Sequence, residues 1–560
     1  MKTFGAIVQR IRLSHAPTKW GVLAVLSLGG AVSTYAAIQI QNSNMVRTVE
    51  GGNMVSPGGA PFFKPPLAHV SQTAARAAIQ ADRLNGMIAL FTVGDQMFST
   101  PFNEADGGGA SVDGFSRFTR VPRADLTGAG QWATHTPARA TGPNATTCAD
   151  CHAAPVTDGA GSVTTNAHRD PLHSANLKKM IQRNTPHLFG GAGRQLLAEE
   201  MTTDLQGLRD AACNCQNATG PACSARTVNL ASKGVSFGSI VVSRVANRAC
   251  TFNTAGVQGV ATDLVVRPFQ WKGAVTHLRA FARDASHNEL GMQANEFYPN
   301  ADVDTVSDHD GDQVSNEITV GDMTALATYG ANQPRPTTRQ ELLSLGLLDC
   351  STNPCSDGKA APDDAAIGAG ASAFASMGCT SCHIPQLLVN NPFYQEPSAL
   401  AAFRENGITP GGQTFASLGL DTVFPVRLNI TTEIQENSNV TQANGQGLGN
   451  FETDTAGHAI IRLYGDLKRH NMGTGLAEQI DEIGSGAGVF LTANLWGIGS
   501  TAPYMHDGRS QTLTGAILEH SSAGAENAAV QSVNAFNSAS NTTRQNLILF
   551  LLNMVLFKSG

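Results

Sequence analysis

The sequence predicts a mainly α protein: two helical lobes joined by long loops, the first carrying a small disulfide-tied β insertion. Three observations lead there. Cys148-Ala149-Asp150-Cys151-His152 returns about 230 residues later as Cys379-Thr380-Ser381-Cys382-His383. Apolar residues recur at helical spacing before the second copy and again at the end of the chain. Between them, residues 211–262 concentrate cysteine, Val and Ser, a composition of short, cross-linked strands.

The repeated C-x-x-C-H pattern is the attachment signal for c-type haem. Each sulfur adds to one vinyl group, and the adjoining histidine meets the iron. Zinc is the rival reading, but a structural zinc site prefers two C-x-x-C pairs close together, without a histidine fixed after each. Two covalent haem c groups are therefore expected. A cytosolic redox C-x-x-C fits poorly with the leader described next.

Taken in order, the chain opens on a basic stretch, Lys2, Arg10, Arg12 and Lys19, followed by an apolar run from Trp20 to Ile40. Residues 1–36 read as a signal peptide, with Thr34 and Ala36 offering a cleavage point, or as an uncleaved N-terminal anchor. A periplasmic location follows, with membrane contact only through that anchor. The 560 residues suffice for two or three domains. A net charge of −7 argues against nucleic-acid binding and suits docking of a basic electron carrier. Outside the haem motifs stand six cysteines, Cys213, Cys215, Cys223, Cys250, Cys350 and Cys355. Disulfides are expected; Cys350 and Cys355 are placed to close a small loop, and the pairing of the other four stays open.

One helix is expected from Ala74 to Phe91. Trp132 is a candidate for the first haem's edge or for core packing. His168, His173 and His187 follow the first motif; each is a candidate distal ligand or an ordinary hydrogen-bonding residue. A helical stretch is expected from Phe269 to Met292, with Glu289 near its end as a solvated charge or a pocket carboxylate. Asp308-His309-Asp310-Gly311-Asp312 alternates carboxylates as calcium loops do, without full EF-hand spacing; an Asx-rich turn before a helix at Val320–Tyr329 is the plainer reading. The segment near 350–364 reads as a linker. A helix through Ile367, Ala371, Phe374 and Met377 then leads into the second motif, and Asn541–Phe557 closes the chain as another. Those two helices make the core of a small cytochrome c-like domain. The expected division is an N-terminal haem domain at 60–345, with an insertion at about 205–262, and a C-terminal haem domain at 363–560.

Between those helices lies Thr501-Ala502-Pro503-Tyr504-Met505-His506-Asp507-Gly508, then Glu519-His520. With two C-x-x-C-H motifs, this resembles the bacterial di-haem cytochrome c peroxidase and MauG superfamily. Phe269–Gly273, Asn288–Met292, Glu317–Asp322 and Asp466–Leu476 are similar to its di-haem oxidoreductase branch. The resemblance implies that the haem on Cys148, Cys151 and His152 binds the oxidant, while that on Cys379, Cys382 and His383 relays electrons. His520 stands fourteen residues after His506, where relatives place the second haem's other ligand, so bis-histidine ligation and a lowered potential are implied. Trp271 matches the tryptophan that carries electrons between haems. Glu289 matches, with a one-residue gap, the carboxylate that moves the peroxide proton, and Phe281 replaces its partner glutamine. Asn184, Thr501 and Pro503 fall where the superfamily binds an interdomain calcium, and His506 lies near the haems as a structural or proton-network residue.

The expected function is that of a periplasmic di-haem oxidoreductase, peroxidase-like, reducing hydrogen peroxide with electrons from a small redox protein such as a cytochrome c or a cupredoxin. Its alternatives are an oxygen-using enzyme similar to rubber oxygenases and a non-enzymatic di-haem carrier.

Overall fold

The computed structural model describes residues 40–42, 68–112, 115–123, 126, 135, 138–213, 223–245, 248–297, 308, 310, 312–404, 420, 424–442 and 444–559. The leader up to residue 39, Trp132, Cys215 and His309 lie outside them. Among the described residues no helix is long and apolar enough to cross a membrane.

The architecture is mixed, 35% helix and 16% strand, which corrects the expectation of a mainly α fold. Period-2 signals fail for strands of two to four residues, too short to show alternation. Such strands pair here as separate two-stranded ribbons; Met554–Val555, for example, pairs with Thr337–Thr338. The longer strands lie in the cysteine-rich stretch, where Cys223–Ser232, Val235–Arg244 and Cys250–Asn253 form one antiparallel sheet. Its last strand is tied back by a Cys213–Cys250 disulfide, and Cys350 and Cys355 close their own loop.

The helix expected over Ala74–Phe91 is two. α1 (Gln72–Ala81) is capped by Ser71, whose hydroxyl accepts from Ala74 N at 3.0 Å. Asp82 is extended at φ −156°, so it ends α1, and its carboxylate caps α2 (Arg83–Ser99) by accepting from Asn85 N. α3 (Gly191–Cys213) leads into the sheet. The helix expected from Phe269 starts only at Leu278, because Gln270 at φ 64° and Gly273 at φ 59° turn the backbone first. α4 (Leu278–Ala285) continues into a π turn, Ser286–Leu290, which ends at Gly291 in the left-handed region.

α5 (Val320–Ala331) carries a complete capping box between Thr319 and Asp322. It packs on α2 closely enough that a Cβ at Gly94 would stand 2.3 Å from the Ala325 carbonyl. α6 (Arg339–Ser344) precedes the disulfide loop, and α7 (Asp364–Ser376) leads into the second motif. α8 (Leu513–Glu519), α9 (Asn527–Ser538) and α10 (Asn541–Asn553) close the chain. α10 crosses α7 at Gly370, where a Cβ would lie 2.0 Å from the Asn546 carbonyl.

Two apolar clusters sit beside the two motifs. Met97, Phe102, Leu290, Met292 and Met323 pack with Cys148 and Cys151, and Phe374, Met377, Leu513, Leu547 and Phe550 pack with Cys379. A third core draws Leu197, Phe237 and Leu278 together with Val389, Ile461 and Trp496, so the two halves of the chain share buried surface.

α4 is held by a buried ionic network. Arg283 Nη1 donates to Glu296 at 2.8 Å, Arg279 donates to Glu296, to Glu396 at 3.2 Å and to Thr324 Oγ1 at 2.8 Å, and all four charged groups are buried. Burial works to raise the Glu296 acid, but the two guanidinium charges outweigh it and hold it below the usual range. Glu296→Gln leaves buried guanidinium charge uncompensated, and a loss of about 3–5 kcal/mol is expected in chemical denaturation.

Candidate active site

Both motifs adopt one local geometry. Cys148–Asp150 and Cys379–Ser381 are single 3-10 turns, and in each the histidine N–H returns to the first cysteine's carbonyl, His152 to Cys148 at 3.1 Å and His383 to Cys379 at 3.0 Å. None of the four cysteines is paired in a disulfide. Each motif histidine is half-buried and pulled down to about 4 by desolvation, so both imidazoles are neutral. The Nδ1 of His152 faces the Gly159 carbonyl at 3.2 Å and that of His383 faces Tyr464 O at 3.1 Å. A backbone carbonyl on Nδ1 leaves Nε2 as the ligating nitrogen.

Around the second motif, α7, α8 and α10 wall a largely apolar cavity containing Phe374, Leu513, Leu547 and Leu551 together with His383 and His520. His520, at the end of α8, has Nδ1 2.8 Å from the Ala516 carbonyl, and its ring centre lies 6.3 Å from that of His383. That spacing suits one metal between two imidazoles: a bond of roughly 2.0 Å on each side, plus about an ångström from each nitrogen to its ring centre. The donor set therefore fits a haem held on both faces.

The first motif borders a second cavity, whose lining includes Cys148, Cys151, His152, Phe281, Asp284, Glu289, Arg169 and Arg183. Among the described residues lining it, His152 is the one histidine. His173 Nε2 is engaged with Arg139 O at 2.6 Å, and His187 Nε2 with Trp496 O at 3.1 Å in the wall of the other cavity. His168 lies on the strand Ala167–Arg169. Glu289 stands in the π turn and accepts from Asn144 Nδ2 at 2.6 Å. Burial raises its acid, with the charge of Arg169 opposing. Trp271 borders both cavities and donates from Nε1 to the Asn184 carbonyl at 2.8 Å.

The family model described as "Di-haem oxidoreductase, putative peroxidase" matches residues 421–554. The family met in the sequence is the family matched: di-haem oxidoreductases. Among solved structures, one titled as a MauG-like protein associated with microbial copper homeostasis aligns with 13% identity and a TM-score of 0.23, covering 65% of this chain and 88% of that one. No curated protein matches the chain.

The matched stretch contains His470, His506 and His520 but neither C-x-x-C-H motif. His506 is stacked on Phe490 with ring centres 4.3 Å apart, and burial lowers it to about 4. Asn184 Nδ2 donates to Pro503 O at 2.7 Å, while its buried Oδ1 has no partner among the described residues; Thr501 borders the same cavity. Those three residues are thus brought together.

Sequence reasoning passed over two groups. Asp284 lines the first cavity, half-buried, and accepts from Gln270 Nε2 at 2.9 Å and Asn288 Nδ2 at 2.8 Å. Five residues from Glu289, it would stand on a different face of a regular α-helix; the π turn, whose bonds span five residues, accompanies their sharing one cavity. His470 holds Asp466 through Nε2 and Glu526 through Nδ1, both at 2.8 Å, and lies 3.8 Å from Cys382 Sγ. Burial opposes its charge, yet Asp466 and Cys382 raise it to about 11. Its signal was the i, i+4 spacing of Asp466 and His470.

Proposed function

We propose that this di-haem oxidoreductase is a periplasmic peroxidase-like enzyme that reduces hydrogen peroxide at the N-terminal haem, on Cys148, Cys151 and His152, with electrons relayed through the C-terminal haem on Cys379, Cys382 and His383. The carrying observation is the inequality of the two sites. His383 faces His520 across one cavity, whereas among the described residues lining the His152 cavity there is a single histidine, together with two half-buried carboxyls, Asp284 and Glu289.

A haem bound in each place supplies the electron-accepting and electron-donating centre. The chain's own part is the proton. Peroxide reduction takes up two electrons and two protons as one O–O bond breaks to give two waters. Glu289, raised by burial and fixed by Asn144, is suited to take a proton from one peroxide oxygen and return it to the departing one. Asp284 supplies a second, half-buried acid in the same cavity. Phe281 keeps part of the wall apolar, and Trp271 spans the two cavities, where it serves electron passage. The carboxyl pair supports peroxide over the oxygen-using alternative, whose pocket is expected to be apolar. Asn184, Thr501 and Pro503 would hold a calcium ion between the two halves, with the Asn184 Oδ1 and the Pro503 carbonyl as oxygen donors.

The deciding assay is steady-state turnover of peroxide with a reduced small cytochrome c or cupredoxin. Turnover is expected; no turnover with any donor, together with no spectral response to peroxide, overturns the reading. Trp271→Phe is expected to lose most donor-supported turnover while both haem absorption bands stay at wild-type intensity, read by stopped-flow spectroscopy.

A further inference from the structure

We propose that Tyr329 is a redox-active residue of the first haem site, placed to release an electron toward His152 through Phe98 and its phenolic proton to Asp158. The inference rests on the peroxidase reading, which supplies the oxidant: hydrogen peroxide acting through that haem.

Three elements meet here. α2 carries Phe98, α5 carries Tyr329, and the loop after the first motif carries Asp158. The Phe98 ring centre lies 5.9 Å from that of His152 and 5.1 Å from that of Tyr329, so each step is a contact between neighbouring rings. One loop fixes both ends of the row: the Gly159 carbonyl faces His152 Nδ1 at 3.2 Å, and Asp158 Oδ1 accepts from the Tyr329 hydroxyl at 2.6 Å. Tyr329 and Asp158 are closed off from water, at 1% and 0% exposure. Tyr329 is not among the described residues lining either haem cavity, which sets it apart from Trp271.

A buried phenol needs an acceptor for packing alone, and a backbone carbonyl meets that need without burying charge. Here the acceptor is a carboxylate out of water, which is costly unless it is paired. Lys558 pairs it: Nζ lies 2.6 Å from Asp158 Oδ2 and also 3.0 Å from Glu436 Oε1. The second acid matters to the chemistry. As Tyr329 is oxidised, one electron passes to the peroxide-oxidised haem and reduces it by one equivalent. The phenolic O–H bond breaks, an O–H bond forms on Asp158, and a neutral phenoxyl radical remains. Asp158 is then uncharged, and Glu436 keeps Lys558 paired. An electron from the donor brings the proton back and restores the phenol. Burial, then the charges of Asp158, Asp95 and Glu436, push the resting phenol well above its usual value, so its proton leaves only together with the electron.

The test is freeze-quench electron paramagnetic resonance of the ferric holoprotein mixed with hydrogen peroxide without donor, with absorption spectra taken in parallel. An organic radical is expected, its hyperfine pattern collapsing when the protein carries ring-deuterated tyrosine and its formation slowing in deuterated water. Tyr329→Phe keeps the ring and its packing; it is expected to lose the radical while peroxide still changes the haem spectrum. Asp158→Asn keeps an acceptor for the hydroxyl but cannot take the proton, and is expected to lose most of the signal. Unchanged resting haem spectra identify folded variants. If peroxide alters the haem spectrum but no tyrosine radical forms, or the radical survives undiminished in either variant, the inference is overturned and the peroxidase reading stands. A wild type whose spectrum does not respond to peroxide overturns both.

Discussion

Replacing Glu289 with Gln is expected to lower peroxide turnover about 10²- to 10⁴-fold, the range of a positioned general acid–base group, with both haems still attached. Glutamine keeps the volume and can still pair with Asn144, which now donates to Glu289 at 2.6 Å, so folding is spared and only proton transfer is lost. The pH profile separates this from a structural role. Burial, opposed by the Arg169 charge, holds the Glu289 acid above the ordinary glutamate value. The proton-accepting carboxylate therefore dominates only above that raised value, and wild-type turnover should fall as pH drops through it. Glu289→Gln should lack this acid limb. An unaltered profile in the variant would assign the proton to another group, and Asp284 stands in the same cavity.

The second large effect concerns the other cavity. His520→Met exchanges an imidazole for a thioether opposite His383, and the midpoint potential of that haem should rise, by a fraction of the roughly 0.8 V that axial ligands span. Spectroelectrochemistry reads the shift directly, and the other haem's potential should stay near its wild-type value. If both potentials are unchanged, His520 is not a ligand, and the 6.3 Å spacing of the two rings reflects packing alone.

Much of the local chemistry was legible in the residues. Cys148–His152 and Cys379–His383 name their own cofactor because attachment depends on contiguous spacing, and contiguous spacing survives without any knowledge of the fold. The helix through Ile367, Phe374 and Met377 and the closing helix through Leu547 and Phe550 were readable for a related reason: each is long enough for its apolar period to repeat. Short paired strands were not, since two to four residues hold no period. The break at Asp82 was missed because it interrupts the helical backbone without interrupting the apolar pattern.

By itself, then, the sequence determined the attachment points, the long amphipathic helices and the candidate set Glu289, Trp271 and His520. Only the tertiary structure decided which of these share a space. It set His520 against His383, put Trp271 in the walls of both cavities, engaged the side chains of His173 and His187 elsewhere, and brought Asp284 beside Glu289 through a π turn. The reason is physical. Covalent attachment and helix formation are governed by neighbours along the chain, whereas a pocket is assembled from segments more than a hundred residues apart, and their encounter is set by the packing of whole elements.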